Sequence, residues 1–271
     1  MFSGWHRSTE GCDDPVVSVD SNGAPGVALV TGASRGIGAA TARLLGRGGW
    51  AVAVNYLRAE DEAAAVVRDI ESGGGRALAV QADVTDAAAV GSMVARVEHE
   101  LGPVDALICN AAGVSDPAFG GLLDVTTEAV ETLVLQQLRA VRTPARAVLP
   151  SMVARRRGSV VVVSSQIVRA PKSGCSALSA AEGTVEALAR AMAVEFGPRG
   201  VRVNTVAPGP TLTAATDWAS AEVREEWVER TPLRRNASAD DVAGPIMFLA
   251  GDAARFVTGA HLTPDGGVVM P

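Results

Sequence analysis

The chain has 271 residues and a formal net charge of −6, with 48 % hydrophobic but only 4 % aromatic residues. This composition is typical of a globular protein of one or two domains with a core of small aliphatic side chains, and it excludes disordered and collagen-like chains. The acidic balance disfavours nucleic acid as a partner, because a phosphate backbone attracts basic surfaces.

Three further classes of protein are disfavoured by sequence pattern. No apolar run approaches about 18 residues, so we expect no segment that spans a membrane. Residues 1–25 lack the apolar core of a signal peptide. The three cysteines and three histidines match no zinc spacing and no disulfide framework. We therefore expect a cytoplasmic protein without a metal site.

In chain order, the sequence predicts a flexible N-terminal extension over residues 1–25 and one continuous domain over residues 26–271. From Val27 onward, short apolar runs alternate with helical patterns. The runs are nearly continuous in apolar residues, which is typical of strands buried on both faces. The predicted strands are residues 27–31, 50–55, 76–82, 104–110, 159–165 and 201–207.

The segments between these strands have helical spacing. Val90, Met93, Val94 and Val97, for example, recur at the intervals of one helix face. A long helix is predicted over 126–153, and Pro144 is expected to kink it or to mark a local break. Strands and helices alternating at this spacing predict right-handed βαβ units, and hence a single-domain α/β fold of Rossmann type with a doubly wound parallel sheet.

A glycine-rich turn follows the first predicted strand. The segment TGASRGIG, residues 31–38, lies between that strand and a predicted helix. Gly32 permits the tight turn, Gly36 lets the backbone approach a pyrophosphate, and Gly38 lets helix and strand pack closely. The N–H groups and the dipole of the helix start then favour phosphate groups. The pattern predicts a dinucleotide site at the carboxyl end of the first strand.

This glycine spacing resembles that of the short-chain dehydrogenase/reductase family, and the resemblance extends over about residues 25–269. Later segments resemble the family's adenine contact, its Asn-Asn-Ala-Gly turn and the loop that meets the nicotinamide carboxamide. The resemblance therefore implies a nicotinamide dinucleotide held by several strand ends. The expected cofactor-binding residues are Gly32, Ser34, Arg35, Gly36, Ile37, Gly38, Asn55, Arg58, Asp83, Val84, Asn110, Ala111, Ala112, Gly113, Pro208, Gly209 and Thr213.

Side chains near the second strand bear on the choice of nucleotide. The strand ends in Asn55, where a site selective for NAD usually has a carboxylate for the ribose 2′-hydroxyl. Arg35 and Arg58 lie nearby in the predicted fold, and two guanidinium groups suit a 2′-phosphate. We expect NADP(H) rather than NAD(H), although both arginines also fit solvated surface positions.

The resemblance also locates the reaction centre, where this chain departs from the family. The family uses a Ser, a Tyr, a Lys four residues after the Tyr, and an Asn on an earlier helix. The Ser aligns with Ser165, but Leu178 aligns with the Tyr and Glu182 with the Lys. Gln137 aligns with the Asn. Ser165, Glu182 and Gln137 are therefore the expected catalytic residues.

These substitutions change the chemistry of the site. Leu178 cannot donate a proton, so the usual general acid is missing. A carboxylate at Glu182 would repel a developing alkoxide, although it could favour a cationic centre or act as an acid if its pKa were raised. Other side chains of the expected cleft could take part, but each also fits a surface or packing role. They are Asp116, Gln166, Lys172, Cys175 and Ser176.

Three functions remain open on this sequence. The first is an atypical reductase or dehydrogenase that acts on an activated acceptor, such as an iminium ion or a quinone. The second is a non-redox enzyme, such as a cyclase, dehydratase or isomerase, that uses Ser165 and Glu182. The third is a non-catalytic assembly partner. The fold alone does not choose between these.

Features outside the expected reaction centre give further expectations. Leu212, Trp218 and Trp227 could cover an apolar small-molecule substrate, or pack on the protein itself. The bias for arginine over lysine, with abundant alanine and glycine, suggests a bacterium with a GC-rich genome and a role in secondary metabolism. The resemblance implies a homotetramer or homodimer formed through the helices predicted at 126–153 and 178–196.

Overall fold

A parallel sheet of seven strands forms the centre of the molecule, which a computed structural model describes over residues 26–112 and 119–270. The strand order is β3-β2-β1-β4-β5-β6-β9, and each pairing of neighbours is parallel. The strands of this sheet are β1 (Val27–Val30), β2 (Ala51–Tyr56), β3 (Arg76–Gln81), β4 (Val104–Cys109), β5 (Gly158–Val163), β6 (Val201–Val206) and β9 (His261–Leu262). A separate pair consists of β7 (Thr211–Leu212) and β8 (Ala237–Ser238).

Helices cover both faces of the sheet. They are α1 (Gly36–Arg47), α2 (Glu60–Ser72), α3 (Ala87–Glu100), α4 (Thr127–Arg155), α5 (Ser176–Phe196), α6 (Ala221–Arg230) and α7 (Ala239–Ala250). One apolar core joins the sheet to α3, α4 and α5, and a second core on the other face joins it to α1, α2 and α7. All residues of β1 and β2 are buried, as their continuous apolar sequences require. The predicted doubly wound Rossmann-type domain is confirmed.

The six predicted strands agree with the structure to within two residues at each end. The sequence pattern did not reveal β7, β8 and β9, because two-residue strands are too short to show an alternation of side chains. The addition of β9 beside β6 matters for the site, since it pairs His261 with Thr205.

The expected local break at Pro144 is wrong, because α4 continues without interruption from Thr127 to Arg155. Proline removes one backbone hydrogen bond from a helix. Pro144 is itself buried, and α4 buries further residues of this segment, including Val141, Ala145 and Val148. We infer that this packing outweighs the lost bond.

Two other expectations concern membrane-spanning segments and the N-terminal extension. Among the described residues, no helix is long and apolar enough to cross a membrane. The predicted N-terminal extension, residues 1–25, lies outside the described residues.

Candidate cofactor and active site

The glycine-rich turn between β1 and α1 has the backbone that its sequence predicts. Gly32 and Gly36 have φ angles of +62° and +57°, which glycine adopts without steric cost. A Cβ at Gly38 would collide with the carbonyl oxygen of Gly32 and would lie 2.6 Å from Asn110 Nδ2. These three positions therefore require glycine for turn geometry and close packing.

The start of α1 presents an anion-binding surface. Its N-cap residue, Arg35, makes no side-chain capping bond, and the first turn contains no acidic residue. The first N–H groups of a helix have no partner within the helix, and the dipole makes this end positive. A phosphate group placed here would meet those N–H groups. Ser34 and Ile37 are half-buried beside this turn, whereas Arg35 is exposed.

A set of hydrogen bonds locks this turn to the loop after β4. Thr31 Oγ1 accepts the N–H groups of Asn110 and Ala111, each at 3.0 Å. Asn110 Nδ2 donates in return to the carbonyl oxygens of Thr31 and Gly32, both at 3.0 Å. Ala111 is half-buried and Ala112 exposed at this edge, and Gly113 lies outside the described residues. The two predicted cofactor loops are thus brought together.

Asn55 requires a correction, because its side chain supports the turn instead of facing a ribose. The residue is only 1 % exposed. Its Oδ1 accepts the N–H of Gly32 at 3.1 Å, and its Nδ2 lies 3.3 Å from Val80 O and 3.1 Å from Ala82 O. Both ends of the amide are therefore used within the protein. The strand also continues one residue further than predicted, to Tyr56.

The remaining nucleotide candidates lie at the ends of β2 and β3. Arg58 is exposed just beyond β2, which pairs with β1, so it emerges on the same edge as Arg35. Asp83 is exposed and accepts hydrogen bonds from the backbone N–H and hydroxyl of Thr85, at 2.8 and 2.7 Å. These bonds fix the loop after β3, in which Val84 is buried.

The loop after β6 completes the edge. Thr213 reaches across to the glycine turn, because a Cβ at Gly36 would lie 3.5 Å from Thr213 Cγ2. Pro208 accepts the N–H of Gln166 at 3.0 Å, which ties this loop to the end of β5, and Gly209 is half-buried. The exposed helix start, the glycine positions and the two arginines together fit a phosphorylated dinucleotide.

The expected catalytic residues lie further along the same edge, on β5, α4 and α5. Ser165 follows β5 and is half-buried, and its Oγ accepts the N–H of Ile167 at 3.2 Å. Leu178 is half-buried on α5, and Glu182 lies one helical turn later with 8 % of its surface exposed. Gln137 is buried on α4, and its Nε2 donates to Glu182 Oε1 at 3.2 Å. The structure thus joins two of the three predicted catalytic residues directly.

The second carboxylate oxygen of Glu182 is buried and has no hydrogen-bond partner in the described protein. Burial raises the pKa of Glu182 to about 7, against hydrogen bonds from Ser164 and Gln137, and the nearby Glu186 carboxylate raises it further. Near neutral pH the group therefore exists in both charge states. A buried carboxyl poised in this way can release a proton or face a cation.

Sequence reasoning missed the polar groups beneath Glu182. Ser164 Oγ donates to Glu186 Oε1 at 3.0 Å, and His261 Nε2 lies 3.0 Å from the same oxygen. Burial acts to raise the pKa of Glu186, but the hydrogen bond and charge of His261, with Ser164 and Arg169, outweigh it and hold that pKa below its ordinary value. The four-residue spacing of Glu182 and Glu186 in a predicted helix could have indicated that the two carboxyl groups lie on one face. The contact with His261 could not have been found in this way, because it depends on strand β9, which the sequence did not predict.

The other described cleft candidates lie in the segment that leads from the end of β5 to the start of α5. Gln166 is buried, and its unpartnered Oε1 lies 3.1 Å from where a Cβ of Gly209 would stand. Lys172 and Cys175 are half-buried, and Ser176 is exposed at the start of α5. Asp116 lies outside the described residues.

The aromatic residues expected to form a lid lie close together but are covered to different extents. Trp227 is buried and packs edge-on against Trp218, with ring centroids 6.0 Å apart. Trp218 is 65 % exposed and lies 6.2 Å from Phe119, which is 55 % exposed. Leu212 is 41 % exposed. Trp227 therefore packs on the protein itself, whereas Trp218, Phe119 and Leu212 expose apolar surface.

A cavity of about 470 Å³ lies at the opposite edge of the sheet, next to the amino ends of β5 and β6. Its lining includes Arg202, whose guanidinium donates to the carbonyl oxygens of Leu249, Ala250 and Gly251. This guanidinium therefore stabilises the C-terminal end of α7. None of the expected site residues lines the cavity.

Comparison with known proteins identifies the family. Residues 32–269 match the family model described as enoyl-(acyl carrier protein) reductase. The cis-4-hydroxycyclohexanecarboxylate dehydrogenase of Sinomonas cyclohexanicum is 40 % identical over 242 residues, which cover 89 % of this chain and 95 % of that protein. The chain belongs to the short-chain dehydrogenase/reductase family.

Two further relatives extend the comparison of this short-chain dehydrogenase/reductase. The 3-oxoacyl-[acyl-carrier-protein] reductase FabG of Staphylococcus aureus is 34 % identical over 243 residues, covering 90 % of this chain and 98 % of that protein. A gluconate 5-dehydrogenase from Burkholderia cenocepacia, solved in complex with NADP and tartrate, has a TM-score of 0.82 and 30 % identity, covering 89 % and 94 % of the two chains. The relatives are oxidoreductases.

Proposed function

We propose that this protein is an atypical NADP(H)-dependent oxidoreductase whose acceptor is activated or cationic, such as an iminium ion or a quinone. The single observation that carries the proposal is the buried Glu182, with one unpartnered carboxylate oxygen, on the same sheet edge as an intact glycine-rich turn. The turn favours a dinucleotide, and the carboxyl favours a partner that is positive or that takes up a proton.

Two features support NADP(H) over NAD(H). Arg35 and Arg58 emerge from the ends of neighbouring loops, where two guanidinium groups can bind a 2′-phosphate with charge-assisted hydrogen bonds. The related gluconate 5-dehydrogenase was solved with NADP. When bound, the cofactor supplies or takes up the hydride. The phosphates would lie at the start of α1, and Asp83 and Thr213 would flank the nucleotide.

An iminium acceptor needs no general acid. It already carries a positive charge, so a hydride from a bound NADPH would form the C–H bond while the π electrons of C=N⁺ would become the nitrogen lone pair. An ionised Glu182 stabilises such a cation before the reaction. A simple ketone instead becomes a basic alkoxide that needs a proton. Leu178 has none to give, and an ionised Glu182 would repel the alkoxide.

The other expected catalytic residues have supporting roles. Gln137 holds Glu182 Oε1 through its amide, which leaves the buried Oε2 as the carboxylate oxygen without a partner among the described residues. Ser165 has a hydroxyl that can donate to a heteroatom of the acceptor while its oxygen accepts from Ile167. The exposed rings of Phe119 and Trp218 offer apolar surface for a large substrate.

We also propose a cytoplasmic homo-oligomer that acts in bacterial secondary metabolism. Leu135 on α4 and Val194 on α5 are 50 % and 80 % exposed, so both helices offer apolar side chains to a second copy. The chain contains a single lysine, Lys172, which is the compositional bias that points to a GC-rich genome. Light scattering after size exclusion would give the oligomeric state.

The test uses the full chain, NADPH and three acceptors of different chemistry. NADPH binding is measured by calorimetry, and its oxidation is followed with 3,4-dihydroisoquinoline, 9,10-phenanthrenequinone and cyclohexanone. We expect the protonated imine or the quinone to be reduced, and cyclohexanone to react at least about 100-fold more slowly, since a missing general acid commonly costs 10²–10⁴ in rate. Glu182→Gln should slow the imine reaction.

Two outcomes would contradict the proposal. Failure to bind NADPH would remove the redox assignment and favour a non-redox or non-catalytic protein. Rapid reduction of cyclohexanone would show that a proton donor other than tyrosine acts in the site, so the case for an activated acceptor would fail.

A further inference from the structure

Beneath the proposed reaction centre, polar side chains connect two buried carboxyl groups to the edge of β9. Glu182 and Glu186 are one turn apart on α5, with 8 % and 2 % of their surfaces exposed. Ser164 at the end of β5 is 7 % exposed and hydrogen-bonds to Glu186 at 3.0 Å, and it lies close enough to Glu182 to affect its ionisation. His261 Nε2 lies 3.0 Å from Glu186 on the far side.

We propose that Glu182, Ser164, Glu186 and His261 form a proton path between the buried carboxyl of the active site and the surface near β9. The path lets Glu182 gain or lose a proton without opening the site to bulk water. The proposal rests on the proposed function, because it explains how Glu182 matches its charge to the acceptor.

The hydrogen bond that Ser164 donates to Glu186 gives the path a direction. A serine hydroxyl has one hydrogen and two lone pairs. When Ser164 donates to Glu186, its oxygen can accept the O–H of a neutral Glu182. For proton release, Glu182 passes its hydrogen to Ser164 while Ser164 passes its own hydrogen to Glu186, and Glu186 passes one to a neutral Nε2 of His261. One proton moves across the path and no electrons are transferred.

At the surface end of the path, the Nε2 atom of His261 has two alternative hydrogen-bond partners. His261 Nε2 lies 3.0 Å from Glu186 Oε1 and 3.3 Å from Arg169 Nε. A neutral Nε2 accepts from Arg169, whereas a protonated Nε2 donates to Glu186, so the contact changes with the proton. An imidazole nitrogen can either accept or donate a hydrogen bond, depending on whether it carries a hydrogen. The imidazole is 14 % exposed, and Arg169 is exposed.

The charges around the path keep the resting proton on Glu182. Burial raises the pKa of Glu182 to about 7, against hydrogen bonds from Ser164 and Gln137. Glu186 faces His261 and Arg169, and Arg190 Nη1 lies 3.8 Å from its Oε2. Arg169 and Arg190 remain charged when His261 is neutral, so they help to keep Glu186 ionised and let it pass a proton on without retaining it.

The test measures how fast the Glu182 carboxyl exchanges its hydrogen with solvent, without nucleotide or substrate. The full chain, held at a pH below the pKa of about 7, is diluted into D₂O, and the infrared C=O band of the buried carboxylic acid is followed. Loss of this band in Glu182→Gln assigns it. We expect wild type to exchange within the mixing time, and Ser164→Ala and Glu186→Gln to exchange at least tenfold more slowly.

Control variants separate a path from general packing. Ser159→Ala removes another buried hydroxyl of β5, which hydrogen-bonds to Leu249 O at 2.9 Å, and exchange should remain fast. Ser164→Thr keeps a hydroxyl and should restore fast exchange. Should Ser164→Ala fail to fold, Glu186→Gln still carries the test.

Fast exchange in Ser164→Ala or Glu186→Gln would overturn the path, and so would the absence of an acid band that depends on Glu182. Neither result involves NADPH. The path can therefore fail while NADPH binding and imine reduction succeed, and it can hold in a protein that binds no nucleotide.

Discussion

The two halves of the carboxyl edge of the sheet use polar groups in opposite ways. On the nucleotide side, the polar side chains bind the backbone: Thr31 and Asn110 clamp one loop to another, and Asn55 holds the N–H of Gly32. On the reaction side, Glu182 keeps a buried oxygen that no described protein group binds. The first half is stabilised internally, whereas the second leaves one buried polar atom without a partner among the described residues.

If the reaction centre departs from the family pattern, as we propose, this difference explains why the fold persists. The nucleotide half depends on glycines whose absent Cβ atoms set the spacing of β1, α1 and the loop after β4. Leu178 and Glu182 both have good helix propensity, so the backbone of α5 does not depend on which of the good helix formers stands at these positions. We therefore expect substitutions at these two positions to alter chemistry without altering α5. Three variants would break or sharpen this comparison.

The largest effect is expected for Gly38→Ala on the nucleotide side. The new methyl group would collide with Gly32 O and approach Asn110 Nδ2 to 2.6 Å, so the turn must open. Overpacking of this kind costs about 1–3 kcal/mol of unfolding free energy, and we expect NADPH affinity to fall by more than about 100-fold, or ~2.7 kcal/mol. Denaturant titration and calorimetry measure the two quantities.

Gly91→Ala is the matched control for this variant. Gly91 is exposed within α3, and a Cβ there would meet nothing within 4 Å. Alanine should stabilise that helix by about 0.5–1 kcal/mol and leave NADPH binding unchanged. If Gly38→Ala bound NADPH as tightly as wild type, the turn would not be the phosphate site.

An intermediate effect is expected for Glu182→Gln on the reaction side, and it depends on pH. The pKa of Glu182 is raised from 4.5 to about 7 in the folded protein, so between these values the folded state binds more protons than the unfolded state. Wild-type stability from this group therefore falls as pH rises through that window, by roughly 3 kcal/mol at most, and is constant above it. Glutamine cannot ionise, so the variant lacks this fall.

Chemical denaturation of both proteins across the window measures the difference. The variant should gain stability relative to wild type from pH 4.5 to about 7 and gain no more at higher pH. Glu131→Gln, which removes an exposed carboxyl from α4, serves as the control and should give no such window. Parallel curves for Glu182→Gln and wild type would mean that Glu182 is not buried as an acid.

The nucleotide side could be predicted from sequence because its geometry is local. Gly32, Gly36 and Gly38 lie within one turn, and the strand and helix on either side define where that turn lies in the fold. The error at Asn55 has a local cause too. The apolar run predicted where the strand ends, but it did not show that the side chain points back to the N–H of Gly32.

The reaction side could be predicted only in part. The family resemblance located Ser165, Glu182 and Gln137, and the structure joins the last two by a hydrogen bond. It did not reveal the polar groups beneath them, because Glu186 and His261 are 75 residues apart in sequence. Their contact depends on the pairing of β6 with β9, and a two-residue strand has no periodicity from which to predict it.

The smallest effect is expected for Arg35→Ala, which tests cofactor choice rather than the fold. Arg35 is exposed at the N-cap of α1, and its side chain makes no capping bond, so its removal should not change stability. If its guanidinium binds the 2′-phosphate, NADPH affinity should fall about tenfold, or ~1.4 kcal/mol, whereas NADH affinity should be unchanged. Arg47→Ala removes an exposed arginine from the other end of α1 and should alter neither affinity.

Calorimetry with both nucleotides shows whether Arg35 binds the 2′-phosphate. An equal loss of affinity for NADPH and NADH would instead place Arg35 at the pyrophosphate that the two nucleotides share. No loss for either nucleotide would leave Arg58 as the remaining guanidinium for a 2′-phosphate.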